Sequence, residues 1–135
     1  MRSILLIEDD IFDTMMVQKS FAKFNVPHQV HTAFNGEEAL DQLLGRGTAP
    51  IVPLPELILL DLNMPRMSGL EFLAELRNTP ELRAIPVFVT TTSDLAHERD
   101  AAAGLAVSGY ILKPLDFESG HDMVDSLNLL EKLLK

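Results

Sequence analysis

The sequence predicts an α/β domain: a five-stranded parallel sheet, doubly wound, with helices on both faces. Three observations carry this. Apolar runs of four to six residues alternate with stretches of helical periodicity along the chain, the pattern of repeated strand–helix units. The runs Ile4-Leu5-Leu6-Ile7 and Leu57-Ile58-Leu59-Leu60 lack polar alternation, as strands do when both faces are covered. Right-handed crossovers then distribute the helices over the two faces.

The first strand, Ser3 to Ile7, runs into Glu8-Asp9-Asp10 and a helix from Phe12 to Phe24. The second, Gln29 to Ala33, alternates in Val30-His31-Thr32-Ala33 and suits an edge; a helix from Gly36 to Leu44 follows. The stretch Gly45 to Pro55 holds two glycines and three prolines, which forbid regular structure and describe a long, partly stiffened loop. The third strand, Leu57 to Leu60, delivers Asp61 to a mouth closed by Pro65, ahead of a helix from Gly69 to Arg77. The fourth, Val87 to Thr91, leads to a helix from Leu95 to Leu105. The fifth, Gly109 to Leu112, ends at Lys113-Pro114, before a last helix from Phe117 to Leu134. At about 100° per residue, Phe117, Val124 and Leu127 fall on the side expected to face the sheet, and Leu129 with Leu133 on the far side. A last turn that is apolar nearly all round predicts a homodimer interface at Leu129, Leu130, Leu133 and Leu134.

At 135 residues the chain is expected to be one domain, 1–135, without an effector module, so that its output goes through a partner. Cysteine is absent, which excludes disulfides and thiolate sites and fits a reducing cytoplasm. Met1-Arg2 leads at once into an apolar strand rather than a signal peptide, and no uninterrupted apolar run approaches the length of a membrane span. A net charge of −9 and a pI near 4.7 argue against nucleic-acid backbones, which need clustered Lys and Arg. A protein or a small phosphorylated donor is the expected partner.

In an open parallel sheet, ligands bind beyond the carboxyl ends of the strands. Three strands here end in charge: Glu8-Asp9, Asp61 and Lys113. Carboxylates of Glu8, Asp9 and Asp61 gathered within about 5 Å would repel pairwise by about 3 kcal/mol at an effective dielectric of 20, so the group calls for a cation. With no cysteine or clustered histidine on offer, that cation is Mg²⁺ or Mn²⁺ rather than zinc. The backbone carbonyl of Asn63 can add a neutral oxygen. Lys113 supplies a cation for phosphoryl oxygens, and one of Thr90, Thr91 and Thr92 a hydroxyl, with Thr91 ending its strand. These parts suit in-line phosphoryl transfer to the Asp61 carboxylate, giving an acyl phosphate. Asp10 is better explained as a helix N-terminal acid. Met15, Met16, Met64 and Met67 read as core filler and loop packing, and His28, His31, His97 and His121 receive no role.

Glu8-Asp9, Asp61-Leu62-Asn63-Met64-Pro65 with Met67-Ser68-Gly69, Thr91 and Lys113-Pro114 together resemble the receiver domain of two-component response regulators. The resemblance implies a flavodoxin-like fold with strand order 2-1-3-4-5 and phosphorylation of Asp61 by a sensor histidine kinase. It implies Mg²⁺ held by Asp9, Asp61 and the Asn63 carbonyl, with Glu8 acting through water. It singles out Thr91 as the switch hydroxyl, Tyr110 as the aromatic that turns inward after it, and Lys113 as the phosphate-binding lysine. Signalling then runs through the face made of the fourth helix, fifth strand and fifth helix. Within the family the chain looks like a single-domain member of the sort that partners bacterial phytochromes. It departs from the pattern where Leu105-Ala106-Val107 replaces the usual Gly-Ala before Ser-Gly-Tyr, which shifts how the fourth helix ends. Two other readings differ in kind. A phosphatase of the haloacid dehalogenase type needs a second Asp where Asn63 stands, and Asn cannot shuttle a proton. A plain divalent-cation module would bind metal without accepting a phosphoryl group.

Overall fold

The computed structural model describes residues 2–62, 64, 67–91, 100–113 and 123–134. Five parallel strands, β1 (Ser3–Ile7), β2 (Gln29–Ala33), β3 (Leu57–Asp61), β4 (Val87–Thr91) and β5 (Gly109–Leu112), form one sheet in the order β2-β1-β3-β4-β5. The fold is flavodoxin-like, as expected, with β2 at an edge. β1 and β3, the strands without polar alternation, lie inside and are buried along their whole length.

Successive residues of each strand point to opposite faces, so each strand feeds two cores. Leu5, Ile7, Ile58, Leu60, Val87 and Val89 pack with Leu40 and Leu43 of α2 (Gly36–Leu44) and with Phe72, Leu73 and Leu76 of α3 (Gly69–Asn78). Ile4, Leu6, Leu57, Leu59, Phe88 and Ile111 pack on the other face with Val17 and Phe21 of α1 (Ile11–Lys23) and with Leu129 and Leu133 of the C-terminal helix (Met123–Leu134). Both leucines are wholly buried. This corrects the reading that placed them outward in a dimer interface. Their four-residue spacing sets them on one stripe, and that stripe covers the sheet. Leu130 is half-buried against the same core and Leu134 is exposed, so the sheet takes Leu129 and Leu133 out of the apolar surface that argues for a dimer. The side chains of Phe117, Val124 and Leu127 lie outside the described set.

Two further expectations change. Met15 and Met16 are exposed, together with Ile11 and Phe12, because α1 turns Val17 and Phe21 inward; Met64 and Met67 do pack against the core. The helix before β5 does not reach Leu105: Asp100 and Ala101 are helical, and the chain then turns through Gly104 and Ala106 at φ +86° and +58°. Left-handed backbone at two nearby positions cannot continue a right-handed helix. The 45–55 segment is irregular as expected, yet it is anchored. Ile51 is buried in the core and its N–H donates to the Gln42 carbonyl at 3.0 Å.

Candidate functional site

The site is built where β1, β3 and β5 end. Asp61 is the last residue of β3, paired in register with Thr90, and is 5 % exposed. Beyond β1 the ladder runs one residue further, the Glu8 N–H donating to the Ala33 carbonyl at 3.0 Å. Beyond β5 it does the same, the Lys113 N–H donating to the Thr91 carbonyl at 2.7 Å. Regular sheet bonding thus carries Glu8 and Lys113 to one edge. Thr91 ends β4 wholly buried, in register with Leu112.

Each flanking helix is capped so that its start stays beside this edge. Asp10 caps α1, its carboxylate accepting from the N–H groups of Phe12 and Asp13, which is the helix-terminal role the sequence suggested. Ser68 and Glu71 form a capping box at α3. Gly69 opens that helix so tightly against β3 that a Cβ there would lie 2.5 Å from Leu62 Cα and 2.6 Å from the Asp61 carbonyl oxygen. Only glycine lets α3 begin this close to Asp61.

Carboxylate oxygens of Glu8, Asp9 and Asp61 lie within 4.8 Å of one another, Asp9 exposed at the mouth and the other two buried. The Lys113 ammonium answers them, with Nζ 2.5 Å from Glu8 Oε2 and 3.2 Å from Asp61 Oδ2. A third contact was not foreseen: Nζ also lies 3.1 Å from Asp13 Oδ2. An acid in the first turn of a helix reads in sequence as an ordinary partner of the helix dipole. Only the arrival of Lys113 from 100 residues away reveals the other role.

Burial pushes the Glu8 carboxyl up to about 7 from its usual 4.5; Asp61 repulsion adds to this, and Lys113 opposes it. Burial alone would lower Lys113, but its hydrogen bond to Glu8, together with Asp61 and Asp13, holds it above the ordinary lysine range. The ammonium therefore stays charged at any physiological pH. One ammonium cannot balance three gathered carboxylates and Asp13, and the donor set is all oxygen. It fits a hard divalent cation such as Mg²⁺ or Mn²⁺.

The structure thus brings together Asp61, Glu8, Asp9 and Lys113, with Thr91 on the neighbouring strand. Tyr110 is half-buried and packs on the α2–α3 side of the sheet. Asn63, the expected carbonyl ligand, lies outside the described residues, as does Pro114.

The response regulator receiver domain model matches residues 4–125. The chain is 36 % identical over 124 residues to response regulator Rcp1 of Synechocystis sp., covering 92 % of this chain and 84 % of that protein. Superposed on the Mn(2+)-bound form of Rcp1 it gives a TM-score of 0.76 at 37 % identity, over 84 % of this chain and 81 % of that one. A two-component response regulator from Legionella pneumophila matches with TM-score 0.83 and 36 % identity over 99 % and 98 % of the two chains. The phosphorylated cyanobacterial phytochrome response regulator RcpA matches with TM-score 0.76 and 34 % identity over 98 % and 88 %. The family match spans the stretch of chain that forms the five strands, from the second residue of β1 to beyond β5, so the chain belongs to the response regulator receiver domain family.

Proposed function

We propose that this chain is a phosphoacceptor rather than a classical enzyme: Asp61 takes a phosphoryl group from a sensor histidine kinase in a Mg²⁺-dependent reaction in the cytoplasm. The observation that carries this reading is the placement of Lys113 Nζ on both Asp61 and Glu8, among three gathered carboxylates. In the transfer a carboxylate oxygen of Asp61 bonds to phosphorus in line with the departing group. The bond from phosphorus to the donor nitrogen breaks and its electron pair returns to the imidazole. With acetyl phosphate the leaving group is acetate. Lys113 donates to the phosphoryl oxygens, and the Thr91 hydroxyl donates to them from β4. When bound, Mg²⁺ or Mn²⁺ supplies the charge that lets an anion approach this acidic edge; Asp9, Asp61 and the Asn63 carbonyl would hold it, with Glu8 through water. The metal in Rcp1 and the phosphoryl group in RcpA, both homologues, support the assignment.

The RcpA likeness also supports a phytochrome-type kinase as the input. The exposed apolar residues of α1, Ile11, Phe12 and Met15, follow directly on Asp9-Asp10 and offer a donor protein a surface beside the mouth. For output, Thr91 moving onto the phosphoryl group and Tyr110 following it would alter the face formed by β5, the segment before it and the C-terminal helix. In the test, intact mass after brief incubation with Mg²⁺ and acetyl phosphate is expected to show one added phosphoryl group, absent in Asp61→Asn. An undiminished shift in that variant would remove Asp61 from the role.

A further inference from the structure

We propose that Asp13 is a positioning residue that occupies one donor of the Lys113 ammonium until a phosphoryl oxygen displaces it, and so slows phosphorylation. This rests on the reading of Asp61 as the phosphoacceptor. An ammonium has three N–H donors. Here three carboxylate oxygens meet them: Glu8 Oε2 at 2.5 Å, Asp13 Oδ2 at 3.1 Å and Asp61 Oδ2 at 3.2 Å. An incoming phosphoryl oxygen must therefore take the place of one of them.

The three are unequal. The Glu8 and Asp61 side chains are 3 % and 6 % exposed, whereas that of Asp13 is 29 % exposed. A carboxylate already in contact with water loses least when its partner leaves, while a buried one is stranded. Glu8 is further fixed by the Asp10 N–H, which donates to its Oε1 at 3.1 Å. Asp61 sheds its charge only once its bond to phosphorus has formed, so while the donor approaches Asp13 is the acceptor able to leave: it stands in the first turn of α1, where the helix dipole still favours its charge. Its negative charge also opposes the approach of any phosphoryl donor. Competition for Lys113 and repulsion act in the same sense, so removing the carboxylate should quicken the reaction. A residue that merely supported α1 would do the opposite when removed.

The test uses Asp13→Asn and Asp13→Ala. With Mg²⁺ and acetyl phosphate, both are expected to be phosphorylated about three- to tenfold faster than wild type, and to need proportionally less beryllofluoride for half-saturation. In metal-free protein the ¹⁵N signal of the Lys113 ammonium, sharp in wild type because three acceptors shield it from exchange, should broaden in both variants. Rates at or below wild type in both variants, or an unchanged Lys113 signal, overturn the proposal while leaving Asp61 as the acceptor. A wild type that takes up no phosphoryl group removes the function proposed above and this inference with it.

Discussion

Glu8 shows how far a single side chain can be moved by its surroundings. Its carboxyl titrates near 7, against 4.5 in an unconstrained chain, chiefly because it is buried. Between those values the folded protein holds a proton that the unfolded chain has released. By linkage, this group's contribution to stability is full below about 4.5 and is lost as pH rises to about 7. In metal-free protein, urea midpoints should therefore fall more between about pH 5 and pH 7.5 in wild type than in Glu8→Gln, where the group is gone. Equal slopes would contradict the assignment. At this scale the sequence was partly legible. Acids following β1 and β3 and a lysine following β5 reveal themselves because strand ends share an edge. Asp13 does not, since its partner depends on where a helix side chain meets a residue from the far end of the chain.

At the scale of elements, strands were read more securely than helix faces. An apolar run buried on both sides allows no error of phase, whereas a helix can be rotated. Phased from Phe117, whose structure lies outside the described residues, the last helix is expected to turn Leu129 and Leu133 outward, whereas its described part, Met123–Leu134, buries both. At the end of the helix before β5 the signal is mixed: Gly104 at φ +86° marks a stop that sequence can show, whereas Ala106 at φ +58°, its carbonyl accepting from Arg77, gives none. The start of α3 is where element packing governs the site. Gly69→Ala gains about 1 kcal/mol in helix propensity but forces a Cβ into the backbone of Leu62 and Asp61. Overpacking should prevail, with a net loss of about 2 kcal/mol in denaturant unfolding and slower phosphorylation of Asp61. A variant as stable as wild type would show that α3 moves freely relative to β3.

At the scale of the molecule, the sheet separates two cores that share no buried residue among the described residues, and polar clamps tie the connections at its rim. The Arg77 guanidinium donates to the carbonyls of Arg83, Ile85, Leu105 and Ala106 at 2.8–2.9 Å, joining the turn before β4 to the turn before β5. Lysine presents one point charge where this site needs a planar fork. Arg77→Lys should lower stability by about 2 kcal/mol by chemical denaturation, because carbonyls are left without donors; an unchanged midpoint would mean that water replaces the fork. At the amino edge of the sheet, Glu56 pairs with Arg2 at 2.8 Å and with the buried His28 at 2.6 Å. The segment between α2 and β3 belongs to the same scheme. Its apolar residues Ala49, Val52 and Leu54 each stand immediately before a proline, and Ile51 between them is buried. A protease that cuts after small aliphatic residues therefore meets either a proline at the bond it must open or a side chain it cannot reach. The longest irregular stretch among the described residues is thus guarded against that kind of digestion by its own composition and by one inserted isoleucine.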